Sequence, residues 1–392
     1  MGKYQFQTEV VKTISSVRAV SATRASIQAD RRPVIVMVGM HLSKTRGGIT
    51  TLTAAILGSE LQNDYRFDYI ASQAEDHSKP RKMLLAMSAF ARFAVRILLD
   101  RPSLAYVHIG SNVSLYRESA FILLAKVFRT CVLAHFHAGD LDQYYLKQNA
   151  LGRAFIRWAL GRSDRIVAVS NASARALREL DDSLKISLVT NAIDTSIFGM
   201  RSPHRHEAKI VQLLFVGAAG KLKGERDLVK ALGLLKVRRD LELRVSFIGH
   251  GTEDLITLCE EEGIAGIVEH LGPVPMSKRV KCFENADIFV LPTYAEAMPL
   301  GVIEAMAAGL AVITTPVGGI PELVSDGEDG LLFPCGDISA LAERIAALAS
   351  DPEARKRIGA RAQVKARQHW DIDNYIPRLG REINATVELC KN

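Results

Sequence analysis

Short unbroken apolar runs, each followed by a helix-length amphipathic stretch, constrain this chain more than any other feature. Val34-Ile35-Val36-Met37-Val38 is the first. Five consecutive apolar residues without alternation suit a strand buried on both faces, which is the environment of a parallel sheet covered by helices. Further strands are predicted at 68–71, 104–109, 130–136 and 165–169. Helical stretches fall between them at 50–61, 81–99, 115–128, 143–161 and 171–179. The polar segment 191–207, with Asp194, Gly199, Pro203 and two histidines, breaks the alternation and reads as a linker. A second series follows, with strands at 212–216, 243–248, 268–271, 287–291, 312–315 and 330–333. Its helices are predicted at 225–238, 252–263, 276–285, 338–349 and 352–368. Strands alternating with helices imply right-handed βαβ units. The fold class is therefore α/β, two doubly wound Rossmann-like domains facing a central cleft. Residues 1–32 form a basic tail, 33–200 the first domain and 208–370 the second. Residues 371–392 form a C-terminal helix crossing back to the first domain. Ligands of such sheets bind beyond the carboxyl ends of the strands.

Composition narrows the partners. Of 392 residues, 48% are hydrophobic and 24% charged, which excludes intrinsic disorder for the bulk of the chain. The net charge of +7 is uneven: residues 1–200 carry +10 and the remainder −3. A basic first half suits an anionic substrate or membrane surface. The basic residues are scattered and not interleaved with aromatics, so nucleic acid is not an expected partner. The five cysteines form no C-x-x-C pair, and neither a disulfide framework nor a structural zinc site is expected. No signal peptide is read at the start, which makes a cytoplasmic protein the expectation. The apolar stretch 83–99 is too short to span a membrane and is interrupted by Arg92 and Arg96. It is expected to be a buried helix exposing an arginine ridge, a face suited to anionic lipid.

Four stretches carry chemistry. In the run from Pro292 to Gly309, a strand ends in a short loop and a helix begins at Pro299, where proline is favoured at the first helical position. Gly309 falls where a residue just past the helix end is needed. The helix start, near Met298 and Leu300, offers unpaired N–H groups and partial positive charge to an anion. Glu296 and Glu304 flank it, and hydroxyl-rich ligands such as a sugar and a ribose would give these acceptors a purpose. The plainer alternative is one solvated and one satisfied core glutamate. The second stretch is Phe215–Gly224, a strand entering a loop with Gly217, Lys221 and Lys223, whose cations suit a leaving diphosphate. The third is His135-Phe136-His137-Ala138-Gly139-Asp140, which puts His135 and His137 on one side of an extended chain. A metal pair needs a third ligand, and none stands near in sequence. The fourth is Gly47-Gly48 after the first strand, which permits close backbone approach but is no G-x-G-x-x-G dinucleotide fingerprint. Asn112 and Arg117, after the strand 104–109, are candidates for the acceptor side, as is Asp140.

The Glu296-to-Glu304 spacing resembles the E-x7-E signature of retaining glycosyltransferases of family 4, which have the two-domain GT-B fold. The following Ala311–Glu322 and Asp326–Pro334 match too, and the resemblance covers about residues 33 to 370. It implies that Glu296 contacts the donor sugar, Glu304 the ribose hydroxyls, and amides around Met298 and Leu300 the diphosphate. Lys223 resembles the family's phosphate lysine, and His137 its first-domain histidine that hydrogen-bonds the transferred sugar. Gly47 and Gly48 resemble the loop near the donor phosphate. Ala297 stands where glycine is usual and Ala218 where arginine is common, which leaves Lys221 as its substitute. The implied chemistry is substitution on one face of the sugar, the departing diphosphate taking the acceptor's proton. The donor is a UDP- or GDP-sugar, used as a substrate. No cofactor is expected, and no metal, on the reading that no Asp-x-Asp stands ready to hold one. The motifs look most like the branch building bacterial exopolysaccharide or surface glycans, with a glycan or lipid-linked glycan as acceptor. Peripheral contact with the cytoplasmic membrane face is expected with it. The rival readings are transfer to a soluble sugar and a non-catalytic nucleotide-sugar-binding protein.

Overall fold

The computed structural model describes residues 32–391, apart from 43, 44, 46, 75–77, 111, 112, 200–209, 221 and 239. The basic tail expected at 1–32 therefore lies outside the described residues, except for Arg32. The first sheet is built of β1 (Val34–Met40), β2 (Arg66–Gln73), β3 (Leu104–Ile109), β4 (Val132–Phe136), β5 (Arg165–Ala168) and β6 (Ile186–Leu188), in the order β2-β1-β3-β4-β5-β6. Its helices are α1 (Gly48–Leu57), α2 (Leu61–Asp64), α3 (Lys79–Asp100), α4 (Val113–Val127), α5 (Leu141–Leu146), α6 (Ala150–Leu160) and α7 (Asn171–Leu180). The second sheet holds β7 (Ile210–Val216), β8 (Glu242–Ile248), β9 (Val268–Gly272), β10 (Ile288–Leu291), β11 (Ala311–Thr314) and β12 (Leu331–Leu332), in the order β12-β11-β10-β7-β8-β9. With it go α8 (Glu225–Leu235), α9 (Ile256–Glu261), α10 (Met276–Asn285), α11 (Leu300–Ala307), α12 (Ile320–Leu323), α13 (Ile338–Ser350), α14 (Pro352–His369) and α15 (Ile372–Leu389). These are two Rossmann-like α/β folds.

The apolar runs became the central strands because only there are both faces covered. Ile35, Val36, Met37 and Val38 are wholly buried, with β1 paired in parallel to β2 on one side and β3 on the other. In the second sheet β7 pairs with β8 and with β10. Strand order reverses between β1 and β3 in one sheet, and between β7 and β10 in the other. Loops leaving those strands diverge to opposite faces, and the gap between them is where α/β proteins take their ligands.

Packing divides the chain into two compact units. One takes the chain up to His135, then Ala154–Ile166 and the chain from Leu379; the other takes Phe136–Arg153 and Val167–Arg378. In the first, the late part of α15 is fastened by Arg165 to Glu382 at 2.9 Å.

Several expectations need correction. The helix expected at 143–161 is split into α5 and α6, because the Asn149 side chain accepts the Gly152 N–H at 2.8 Å and starts a new helix. The described part of the expected linker is packed: Asn191, Ala192, Ile193, Thr195 and Phe198 are buried. Its polar groups find partners the sequence could not reveal, Thr195 donating to Asp371 and the Ile193 N–H to the Trp370 carbonyl at 3.0 Å. β6 was not foreseen. Cys131 and Cys390, 259 residues apart, are joined as a disulfide with Cα atoms 6.2 Å apart, a pairing that local spacing cannot show. Among the described residues no helix is long and apolar enough to cross a membrane.

Candidate functional site

The loops after β7 and β10, at the switch point of the second sheet, are knitted together by main-chain and side-chain bonds. The Tyr294 N–H donates to the Leu222 carbonyl at 2.8 Å, and Thr293 Oγ1 donates to the same oxygen at 2.7 Å. The Gly220 N–H is held by the buried Glu225 carboxylate at 2.9 Å. This brings the Lys223 ammonium onto Glu296 Oε1 as an ion pair. Glu296 is mostly covered and Lys223 about one-third exposed, so the pair faces outward from the ends of the strands. Lys221 lies outside the described residues. A cavity of about 440 Å³ opens beside the first of these loops, lined by Gly220, Gly224, Arg226, Asp227, Asp254 and Tyr294 among others.

Two glycines explain why the Glu296 loop has one position. A Cβ on Gly139 would strike the Glu296–Ala297 backbone, and one on Gly318 the Glu296 carbonyl. Gly318 also has φ +56, a left-handed backbone that side chains disfavour. The loop is thus sandwiched between two backbones. From the other side Asn191 Nδ2 donates to the Met298 carbonyl at 2.9 Å. Glu322, in the run after β11, accepts the Asn171 and Ala172 N–H groups at 3.0 and 3.1 Å. Its charge thereby caps the start of α7.

The helix α11 begins one residue later than the sequence suggests. Pro299 is its N-cap, with extended ψ of 115°, and Leu300 its first residue. The N–H groups of the first turn have no helical partner and point toward the same strand ends as Glu296. The far end follows the expectation: Gly309 has φ +72. Its N–H donates to Met306 at 2.9 Å and that of Leu310 to Ala305 at 3.0 Å, the paired bonds of a Schellman cap. Glu304 is buried in the second turn, and Arg279 of α10 donates to its Oε2 through Nε at 3.0 Å and through Nη2. Burial pushes the Glu304 carboxyl up from its ordinary value, and Arg279 opposes that shift. Oε1 makes no hydrogen bond among the described residues and remains an acceptor. Sequence reasoning missed Arg279 because a basic residue in a polar helix carries no local mark.

His137 follows β4 and packs in the same unit as Glu296. Desolvation lowers its pKa to about 3, so the ring is neutral across the physiological range. A group whose native pKa lies below its unfolded value of about 6.5 destabilises the native state as pH falls through that interval. His137→Asn is therefore expected to flatten the loss of stability between pH 6.5 and 4. That loss would otherwise reach up to about 1.4 kcal/mol per pH unit from this group. Urea unfolding at stepped pH measures it. Asp140 is the N-cap of α5, and its buried Oδ1 has no partner among the described residues.

The expectation that no Asp-x-Asp exists is corrected: Asp140-Leu141-Asp142 and Asp371-Ile372-Asp373 both have that form. Asp371 is committed to Thr195 and to the Asp373 N–H.

In the first unit Gly47 caps α1, and Thr50 Oγ1 closes the turn by donating to the Gly47 carbonyl at 2.8 Å. Gly48 is the first residue of the helix rather than part of the loop. Asn112 lies outside the described residues. Arg117 is not held out toward an acceptor. Its Nε donates to the buried Glu118 at 2.9 Å and its Nη2 to Gln73 at 2.6 Å, with Ser72 and Ser114 completing the carboxylate's bonds. His135 is buried, with Tyr106 Oη 2.6 Å from its Nδ1 and His108 stacked on it at 5.4 Å. His108, from β3, is the neighbouring ligand type that spacing along the chain did not show.

Comparison with known proteins agrees with this architecture. Residues 56–197 match the model of Glycosyltransferase Family 4, and residues 200–365 that of Glycosyl transferases group 1. The chain belongs to this GT-B group of glycosyltransferases. A D-inositol 3-phosphate glycosyltransferase of Arthrobacter sp. is 33% identical over 192 residues, 46% of each chain. A glycogen synthase of Mycobacterium tuberculosis is 26% identical over 64% of this chain and 62% of its own. The chain spans about half the length of the first of these curated relatives. Among solved structures, the sucrose-phosphate synthase of Thermosynechococcus elongatus superposes with a TM-score of 0.77, covering 90% of this chain and 99% of its own at 17% identity. HepE of Anabaena, solved with UDP-glucose, gives 0.70 over 90% and 100%, also at 17%. At such identity these structures speak to the fold.

Proposed function

We propose that the protein is a retaining glycosyltransferase that moves a hexose from a UDP- or GDP-sugar to a glycan or lipid-linked glycan in bacterial polysaccharide assembly. The observation that carries the reading is the Lys223–Glu296 pair, held at the switch point beside the open N-terminus of α11. The amides near Met298 and Leu300 and the Lys223 ammonium meet the diphosphate, whose charge grows as the glycosidic bond breaks. Glu304 Oε1 accepts a ribose hydroxyl while Arg279 opposes the protonation that burial favours. Glu296 and the neutral His137 bind the transferred sugar, and Gly217 lets the backbone approach it. The acceptor oxygen attacks from the face the diphosphate leaves, and the diphosphate takes its proton. Gly47, Gly48 and Asp140 belong to the same reading, as does work at the cytoplasmic face of a membrane. Neither a cofactor nor a metal is part of the proposal.

A second reading has a specific observation behind it. The curated relatives are named for inositol phosphate and glycogen, which favours a soluble acceptor. The test is donor consumption with lipid-linked or soluble acceptors, with the product's anomeric configuration read by NMR. Retained configuration on a lipid-linked glycan is the expected result. Inverted configuration overturns the mechanism, and transfer only to soluble sugars selects the second reading.

A further inference from the structure

We infer that the outer face of α3, with the basic pocket at its end, is the surface that docks on an anionic phospholipid membrane. α3 is apolar on two opposite faces. Ala89, Phe93 and Ile97 are buried, Phe93 lying edge-on to Phe121 of α4 at 5.2 Å. On the other side Leu84, Met87, Ala91, Val95 and Leu98 follow one another at three- and four-residue steps, which puts them in one stripe about 20 Å long. Leu84 and Met87 are each 62% exposed, Val95 51% and Leu98 52%. Soluble proteins seldom leave so continuous an apolar stripe open to water, and such patches mark contact sites.

Charge complementarity selects the partner. Arg81 and Arg92 flank the stripe, are exposed, and make no ion pair among the described residues. Arg96, by contrast, is neutralised by Asp68 at 2.7 Å and Asp100 at 2.9 Å, so the arginine ridge expected from the sequence reduces to Arg92. Leu98 also lines a pocket of about 430 Å³, whose rim carries Arg101, Arg129 and Lys391. Lys391 pairs with Glu388, but Arg101 and Arg129 have no side-chain partner among the described residues. Both hold left-handed backbone, at φ 42 and 56, where a side chain is disfavoured. An apolar stripe bordered by arginines fits a helix lying in the interface, its cations level with lipid phosphates. A second copy of this chain fits poorly, since an antiparallel pairing of the two stripes brings arginines together with no acid on the stripe to meet them.

The inference deepens the membrane side of the proposed function and rests on it. The test is co-sedimentation with phosphatidylcholine vesicles, with and without 30% phosphatidylglycerol. Wild type is compared with Leu84→Glu/Val95→Glu and with Arg101→Asn/Arg129→Asn, asparagine tolerating left-handed backbone. Wild type is expected to bind the anionic vesicles in a salt-sensitive manner. The glutamate pair is expected to lose at least about tenfold, and the asparagine pair roughly thirtyfold on anionic vesicles alone. Donor turnover in solution should be unchanged in both. Wild-type binding that neither variant weakens overturns this surface and leaves the membrane reading intact. A wild type that binds no vesicle overturns both. A wild-type dimer that the glutamate pair converts to monomer makes the face a protein interface and also overturns the inference.

Discussion

Glu296→Gln is expected to lower sugar transfer by roughly 10²–10³-fold, with the loss in kcat and little change in affinity for the free nucleoside diphosphate. The substitution preserves the volume of the side chain and removes its charge. The backbones of Gly139 and Gly318 confine the Glu296 loop, and Lys223 holds the carboxylate in an ion pair. Gln leaves the first two untouched, so the loop keeps its course and the amides of α11 stay available to the diphosphate. What disappears is the anion beside the sugar and the partner of the ammonium. An interaction realised mainly in the transition state appears in kcat, whereas uniform binding appears in KM. Steady-state kinetics with a nucleotide titration separates the two. A variant with normal kcat and raised donor KM would mean that Glu296 only grips the ground state.

Arg279→Ala is expected to destabilise the second unit by about 3–5 kcal/mol, the range for a buried charge stripped of its partner. Glu304 is 2% exposed, and Arg279 supplies its one ion pair among the described residues. The deficit should depend on pH with a definite sign. Burial already raises the Glu304 carboxyl, and removing Arg279 raises it further. The native variant therefore binds a proton that the unfolded chain has lost, and stability falls as pH rises above the unfolded carboxylate value. Urea unfolding should show a smaller deficit at pH 5 than at pH 8. Glu304→Gln added to Arg279→Ala should restore much of the loss while still weakening nucleotide binding. A deficit independent of pH and not rescued by Gln would place the role of Arg279 in its packing over Phe283, 5.9 Å away, instead of in the pair.

What the sequence made legible was what is encoded locally. The buried runs of β1 and β10 contain no polar residue, and β7 has only Gln212 ahead of its buried Leu213–Val216 run, so their strands could be read directly. Gly309 and the start of α11 followed from backbone rules that depend on one or two residues. Glu296 and Glu304 stood out because they share one continuous motif, and Lys223 because it closes a separate glycine-rich loop after a strand. What stayed hidden was every partner supplied from a distance. Arg279 reaches Glu304 from another helix, Asn191 reaches the Met298 carbonyl from 107 positions away, and Glu322 caps a helix 150 residues earlier. Arg117 looked free for an acceptor because nothing local announces that Glu118 and Gln73 take its donors. The same limit explains α3: its periodicity showed an apolar helix, and only packing shows which of its two apolar faces is left to water.

A nucleotide-sugar site at the second sheet's switch point requires that a nucleoside diphosphate stabilise the native protein. The most direct measurement is thermal unfolding of wild type and Glu304→Ala against UDP, GDP, ADP and their sugar conjugates. A ligand at 100 times its Kd that binds only the native state adds about 2.7 kcal/mol, which corresponds to a rise in Tm of about 5–10 °C for a unit of this size. The expected result is such a rise for one uridine or guanosine series in wild type, much reduced in Glu304→Ala. No rise with any nucleoside diphosphate, or a rise unaffected by Glu304→Ala, would contradict it.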